Sequence, residues 1–204
     1  MDTFLFACAG YIIGSIPVAY LLARKQFGID LRHNGSHNIG ARNAYESTGN
    51  KRLGITVLIL DMHKGIIPLL LLDKLGYCSM TPIIAATIIL GHCYPIWLKF
   101  HGGRGLATGA AIMLLTSPDI LLCWLIVYGV SGFLKKNVHF QSLAATVGCA
   151  VFELLVYPSS LFFHFHFVCK GDPLAFHYST LGMLMIILSR HIQPVIALFR
   201  KTQA

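Results

Sequence analysis

Apolar residues run through this chain in long blocks separated by short polar breaks. A helix that spans a bilayer needs roughly 20 apolar residues. The blocks 3–23, 53–73, 80–98, 106–117, 119–134, 140–168 and 175–190 supply seven candidate spans, with six the rival count. The fourth is short for a full crossing, and Ser117-Pro118-Asp119 after it is turn and helix-cap chemistry. The sixth is long enough to include a tilted or interfacial end. The N-terminal block lacks a basic start and an A-x-A-like cleavage site, so it reads as the first span rather than a signal peptide.

Composition supports that pattern. Of 204 residues, 55% are hydrophobic and 12% charged, whereas soluble chains carry about 25% charged residues. The expectation is an all-α integral membrane protein, a bundle of about seven helices forming one domain over 1–204. No repeat or low-complexity tract divides it. The net charge of +8 then reflects basic cytoplasmic loops rather than a nucleic-acid partner. With the N-terminus outside, thirteen of the 16 Lys and Arg fall on 24–52, 99–105, 135–139 and the tail after 189. Lys74 and Lys170 lie outside, and Lys64 lies within a span. This bias puts the C-terminus in the cytoplasm. Phe162, Phe163, Phe165 and Phe167 suit the opposite interface. The six cysteines stand singly, without C-x-x-C, and read as small buried hydrophobes with no disulfide.

Two polar segments share the cytoplasmic face. Residues 35–49, GSHNIGARNAYESTG, allow a short helix capped by Ser36 or Asn38 and stopped at Gly49. Its N-terminal end would favour an anion; an ordinary polar connector is the alternative. Residues 91–108, GHCYPIWLKFHGGRGLAT, place three glycines around Arg104. Glycines let backbone amides approach a phosphate, and the guanidinium is a two-pronged donor. No G-x-x-x-x-G-K-[ST] is present, so this is not a nucleotide P-loop. A flexible hairpin whose arginine merely obeys the charge rule remains the alternative.

Within span two, Asp61 and Lys64 are three residues apart and share a helix face. A pair tying that span to the cytoplasmic loops is the favoured reading; an ion or proton path through Asp61, His63 and Lys64 is the other. His164 and His166 read as interfacial packing rather than a metal site. His139 and His177 carry no spacing signal, and Glu153 needs a partner that the sequence does not name.

Together, GSIPVAYLLA at 14–23, GSHNIGARN at 35–43, LDMHKG at 60–65, the 91–108 block and Arg190-His191 resemble the bacterial membrane glycerol-3-phosphate acyltransferases that use acyl phosphate. The resemblance spans nearly the whole chain in order. It implies a seven-span bundle in the bacterial cytoplasmic membrane with its active site facing the cytoplasm. It also implies transfer of a fatty acyl group to the 1-hydroxyl of glycerol 3-phosphate, giving lysophosphatidic acid and phosphate. Neither a metal nor any other cofactor is implied; the partners are acyl phosphate, glycerol 3-phosphate and membrane lipids.

Position by position, Ser36, Asn38, Gly40 and Asn43 match the first motif. His92, Gly102, Gly103, Gly105 and Thr108 match the second, with Arg104 where lysine is usual. Ser142 matches the first serine of a Ser-Leu-x-Ser motif, and Arg190 and His191 open the third. Ser36, Asn38 and His191 are the implied catalytic residues, and the others, with Arg42, bind substrate. His191 is the candidate for steering or accepting the hydroxyl proton. One phosphate is to be held by the backbone amides of 102–105 with Arg104, and the other with help from Ser36, Arg42, Ser142 and Arg190.

The chain also departs from the family pattern. Arg42 replaces a threonine, Glu46 a phosphate-binding arginine, His37 a glycine, Ala145 the second serine and Pro194 an asparagine. Arg42 and Glu46 are one helical turn apart, so a displaced cation held by Glu46 would repair the change. The rivals are a divergent paralogue with another acceptor or no activity, and a small transporter. No histidine is followed by aspartate five positions on, as thioester-dependent acyltransferases would have it.

Overall fold

The computed structural model describes residues 2–134, 136–156, 167–169 and 171–201. Among them, every regular element is helical: α1 (Asp2–Ser15), α2 (Val18–Phe27), α3 (Ala41–Thr48), α4 (Lys51–Leu75), α5 (Thr81–Cys93), α6 (Leu106–Thr116), α7 (Pro118–Leu134), α8 (Val138–Val156) and α9 (Pro173–Lys201). Short 3-10 turns, Cys78–Met80 and Ile96–Leu98, flank α5. Among the described residues, four stretches are long and apolar enough to cross a membrane: Asp2–Phe27, Lys51–Leu75, Cys78–Leu98 and Val138–Leu155. Helix α6, with 11 residues, reaches about 16 Å, roughly half the hydrocarbon thickness.

The first block is not one unbroken helix. Pro17, which has no N–H, separates α1 from α2. The carbonyls of Gly14 and Ile16 at this break accept hydrogen bonds from Lys64 Nζ at 3.4 and 3.0 Å. The fourth and fifth blocks divide at Ser117, as the turn signal predicts. The sixth block is helical as far as Val156. Its remainder to residue 166, with Phe162, Phe163, Phe165, His164 and His166, lies outside the described residues. Phe167 is exposed. The last block continues beyond residue 190 to Lys201.

Helix α1 lies against α5, α4 against α6, and α9 against both α5 and α8. A Cβ on Gly14 would stand 2.0 Å from the Ile88 carbonyl oxygen, so α1 and α5 meet almost backbone to backbone, as small residues permit in membrane bundles. The main core joins Leu69, Ile88, Ile89, Ile112, Met183 and Leu184. A second cluster, including Ala23, Leu31, Ala44 and Val57, seats α3 and its preceding loop on α2 and α4. Phe4, Leu71, Leu122 and Ile126 face outward.

The cysteine expectation fails at one pair. Cys78, before α5, and Cys169, before α9, form a disulfide with their Cα atoms 4.8 Å apart. They are 91 residues apart in the chain, so only tertiary packing brings them together. Cys93 and Cys149 are buried free thiols, as expected. Glu153 finds a partner in His177, whose Nδ1 lies 3.1 Å from Oε1.

Candidate active site

Asn43 organises the loop before α3. It is 1% exposed, and its Nδ2 donates to the carbonyls of Leu31, Asn34 and Asn38 at 3.2, 3.1 and 2.8 Å. Its Oδ1 accepts from the Ser36 amide at 2.9 Å and from Ser47 Oγ at 3.1 Å. Asn43, expected among the substrate-binding residues, fastens 31–38 into one shape through these bonds. Gly40 takes the N-cap position of α3 with no side-chain cap, so neither Ser36 nor Asn38 serves as the cap. Gly49 stops the helix in the left-handed region, as expected.

The glycine turn is held from two sides. The Gly103 amide donates to the His92 carbonyl at 3.0 Å, and a Cβ on Gly103 would stand 2.1 Å from His92 Nε2. Arg190 of α9 donates from Nε to the Gly103 carbonyl at 3.2 Å and from Nη2 to that of Gly102 at 3.0 Å. Its guanidinium also lies over the Tyr94 ring. The expectation that all the amides of 102–105 are free for phosphate is therefore corrected, because that of Gly103 is engaged. Gly105 has φ +78° and starts α6, a conformation that favours glycine.

Beneath the turn lies a buried polar cluster. Lys64 Nζ is 2.9 Å from Asp61 Oδ1 and donates to His92 Nδ1 at 3.3 Å. Thr108 Oγ1 donates to the Asp61 carbonyl at 2.9 Å. His92 and Thr108 thus brace the turn from below rather than face solvent. The Asp61–Lys64 pair is structural, as favoured, but it ties α4 to the α1–α2 break and the glycine turn. His63 is exposed on the other side of α4, which removes the three-residue path a transporter would need.

Above the turn, Ser36, His37, Asn38, Arg104, Ser189 and Arg190 line an open polar cleft of about 170 Å³, with Pro194 at its edge. Burial holds Arg104 below the usual arginine range, at about 10, with further lowering by Arg190 and Arg42 and opposition from Glu46. It remains cationic at neutral pH while only partly compensated, as an anion site requires. Arg42 is paired with Glu46, Nε to Oε1, at 2.7 Å, with both side chains well exposed. Ser142 is fully buried on α8 and His191 fully buried on α9. The His191 Nδ1–H donates to the Ile187 carbonyl at 2.9 Å, so in the neutral ring Nε2 carries the lone pair. Next to the turn, an apolar groove between α6, α7 and α9 is lined by Leu106, Ala110, Met113, Trp124 and Ile187 among others.

Sequence reasoning missed Ser189 and Tyr94, although both adjoin motif residues. It gave His139 no role. Among the described residues, the Asp73, Cys78 and Cys169 side chains form a group of possible metal ligands, but the two cysteines are joined in the disulfide and lie at the other end of α5.

A family model described as "Glycerol-3-phosphate acyltransferase" matches residues 4–201. A glycerol-3-phosphate acyltransferase of Anaeromyxobacter sp. (strain Fw109-5) is 34% identical over 96% of this chain and 92% of its own. One from Syntrophotalea carbinolica is 35% identical over 94% and 91%. Crystal structures of PlsY (YgiH), an integral membrane glycerol 3-phosphate acyltransferase, superpose closely. The glycerol 3-phosphate form has a TM-score of 0.77 at 27% identity, covering 98% of this chain and 94% of that one. The lysophosphatidic acid form has a TM-score of 0.75 at 25% identity, covering 98% and 93%. The chain belongs to the glycerol-3-phosphate acyltransferase family, and its bundle is that of a membrane acyltransferase.

Proposed function

We propose that this protein transfers a fatty acyl group from acyl phosphate to the 1-hydroxyl of glycerol 3-phosphate, at the cytoplasmic face of a bacterial inner membrane. The observation that carries the reading is the meeting of a cationic polar cleft, built by Arg104, Arg190 and the Ser36–Asn38 loop, with an apolar groove entering beside it. An anionic head and a lipid tail have adjoining places there.

Acyl phosphate is already activated, so the site has to align a hydroxyl with the carbonyl carbon and stabilise negative charge. The acceptor hydroxyl oxygen attacks that carbon. The bond from carbonyl carbon to phosphate oxygen breaks, and phosphate leaves with the bonding pair. His191 Nε2 takes the hydroxyl proton and returns it to the departing phosphate. Arg104 supplies a fixed positive charge, while Arg190 holds the turn that carries it. Ser36 and Asn38 position the acceptor, and Ser142 donates to a substrate oxygen.

The orientation rests on two independent supports. Basic residues cluster on the loops beside the cleft. The Cys78–Cys169 disulfide lies at the opposite end of α5, and disulfides persist on the oxidising side of a membrane.

Purified protein in detergent, given acyl phosphate with and without glycerol 3-phosphate, tests the reaction. Acceptor-dependent phosphate release is expected; release that ignores the acceptor, or none, contradicts the proposal. Glu46, a carboxylate that acts on Arg104 of the cleft, favours a second reading with an altered acceptor. Turnover with another polyol phosphate in place of glycerol 3-phosphate would identify it.

A further inference from the structure

Four polar side-chain atoms in the segments around the cleft are buried without a hydrogen-bond partner among the described residues: Asn38 Oδ1, His139 Nδ1, Ser142 Oγ and His191 Nε2. Buried donors and acceptors are nearly always paired. Orphans drawn from the loop before α3, from α8 and from α9 therefore leave hydrogen-bonding capacity for a polar guest. Three of these residues are already part of the site. His139 is not.

Its position is fixed rather than incidental. Asn137 Oδ1 accepts from the amides of His139 and Phe140 at 2.9 and 3.2 Å, closing the first turn of α8. Ser142, fully buried, follows one turn later on the same face. Helix α8 packs along α9, which carries His191. Arg42 and Glu46 of α3, Arg104 of the glycine turn and His191 of α9 all act electrostatically on His139. Arg190 of α9 acts in turn on Arg104 and His191. The groups acting on this imidazole are thus two arginines, the His191 ring and a single carboxylate. Such a field favours a dianion, and the unpaired Nδ1 lies within it.

We propose that His139 is a further substrate-contacting residue of the acyl-transfer site, its Nδ1–H donating to a phosphoryl oxygen of acyl phosphate or of glycerol 3-phosphate. The inference rests on the acyl-transfer reading. It requires no bond to form or break at His139, which holds the phosphoryl group while the acyl group moves.

The test is steady-state kinetics on the purified full-length protein, wild type first. If wild type shows no acceptor-dependent turnover, the acyl-transfer reading fails by itself. The role of His139 is then judged by the rise in unfolding temperature that inorganic phosphate produces in wild type and that His139→Ala should lose. With wild-type turnover in hand, His139→Ala should raise KM for one phosphate substrate at least tenfold while kcat stays within threefold. The substrate affected identifies the phosphoryl group touched. His139→Asn, whose amide nitrogen falls near the Nδ1 position, should recover most of the lost KM. KM values within twofold of wild type would overturn the proposal. So would a fall in kcat that parallels a lower unfolding temperature, or rescue by His139→Gln but not by His139→Asn. If His139→Ala does not fold, the Asn and Gln pair carries the comparison.

Discussion

The Arg190 guanidinium donates to the Gly102 carbonyl at 3.0 Å across 88 residues of sequence. With its second bond to Gly103 at 3.2 Å, it fastens the glycine turn to α9 and so sets where Arg104 stands. Lysine cannot reproduce a planar two-pronged donor. Arg190→Lys should therefore lower kcat/KM about 30- to 100-fold, the equivalent of roughly 2–3 kcal/mol for charge-assisted bonds. Steady-state kinetics on the purified variant checks this; a loss below threefold would show that the fastening is dispensable.

Arg104 links binding to pH and stability. Its pKa is lowered to about 10, first by burial and then by Arg190 and Arg42. For a base whose folded pKa is depressed, the folded state disfavours the charged form. The resulting cost to stability is present in full below pH about 10 and is relieved as pH rises through that value. An anion in the cleft offsets the same cost at neutral pH. Inorganic phosphate should therefore raise the unfolding temperature of wild type at pH 7.5. Arg104→Gln should unfold at a higher temperature than wild type without phosphate and gain little from it. Phosphate affinity should be flat from about pH 8 to 9, where the free ligand is already the dianion, and decline above about 10. Thermal unfolding in detergent across that range measures all three.

The Arg42–Glu46 pair at 2.7 Å is the one the one-turn spacing anticipates, with side chains 56% and 42% exposed. An exposed pair contributes little to folding, so its consequence lies in the substrate. Arg42→Ala should raise KM for glycerol 3-phosphate about tenfold, whereas Glu46→Ala should change it less than threefold. Equal, mild losses from both would remove the idea that the cation has been displaced to position 42.

The disulfide lies far from the chemistry. Arg190 and His191 stand 17 and 18 residues into α9 from Pro173, about 25 Å along the helix. Cys169→Ser should lower stability by about 2–4 kcal/mol, as expected for closing a long loop, and leave kcat within twofold. After reduction in intact cells, Cys78, the partly exposed member of the pair, should label with a membrane-impermeant thiol reagent added outside. Labelling only after the membrane is permeabilised would reverse the orientation.

The membrane class and most of the helices are legible from the apolar blocks, because solvent-starved composition and span length are local properties. The division at Ser117 is legible for the same reason, since its turn chemistry sits in three consecutive residues. The break at Pro17 was legible only in part. Proline interrupts a helix by its own chemistry, but the freed carbonyls gain their meaning from Lys64, 48 residues from Ile16. Several motif residues meet around the glycine turn, yet sequence position did not reveal the hydrogen bonds they make. Asn43, His92 and Thr108 give no sign in the sequence of the bracing hydrogen bonds they make, since only the fold shows where those bonds go. His139 and the Cys78–Cys169 bond carry no pattern because what surrounds them comes from distant parts of the chain.

The claim on which the account rests is that one cleft grips phosphate while an adjoining apolar groove presents the acyl chain. Parallel measurement of phosphate and lysophosphatidic acid from acyl phosphate and glycerol 3-phosphate, in wild type and Arg104→Ala, tests it most directly. The account predicts one lysophosphatidic acid for each phosphate in wild type, and at least a hundredfold lower rate for both in the variant. Phosphate without lysophosphatidic acid, or an Arg104→Ala rate close to wild type, would contradict it.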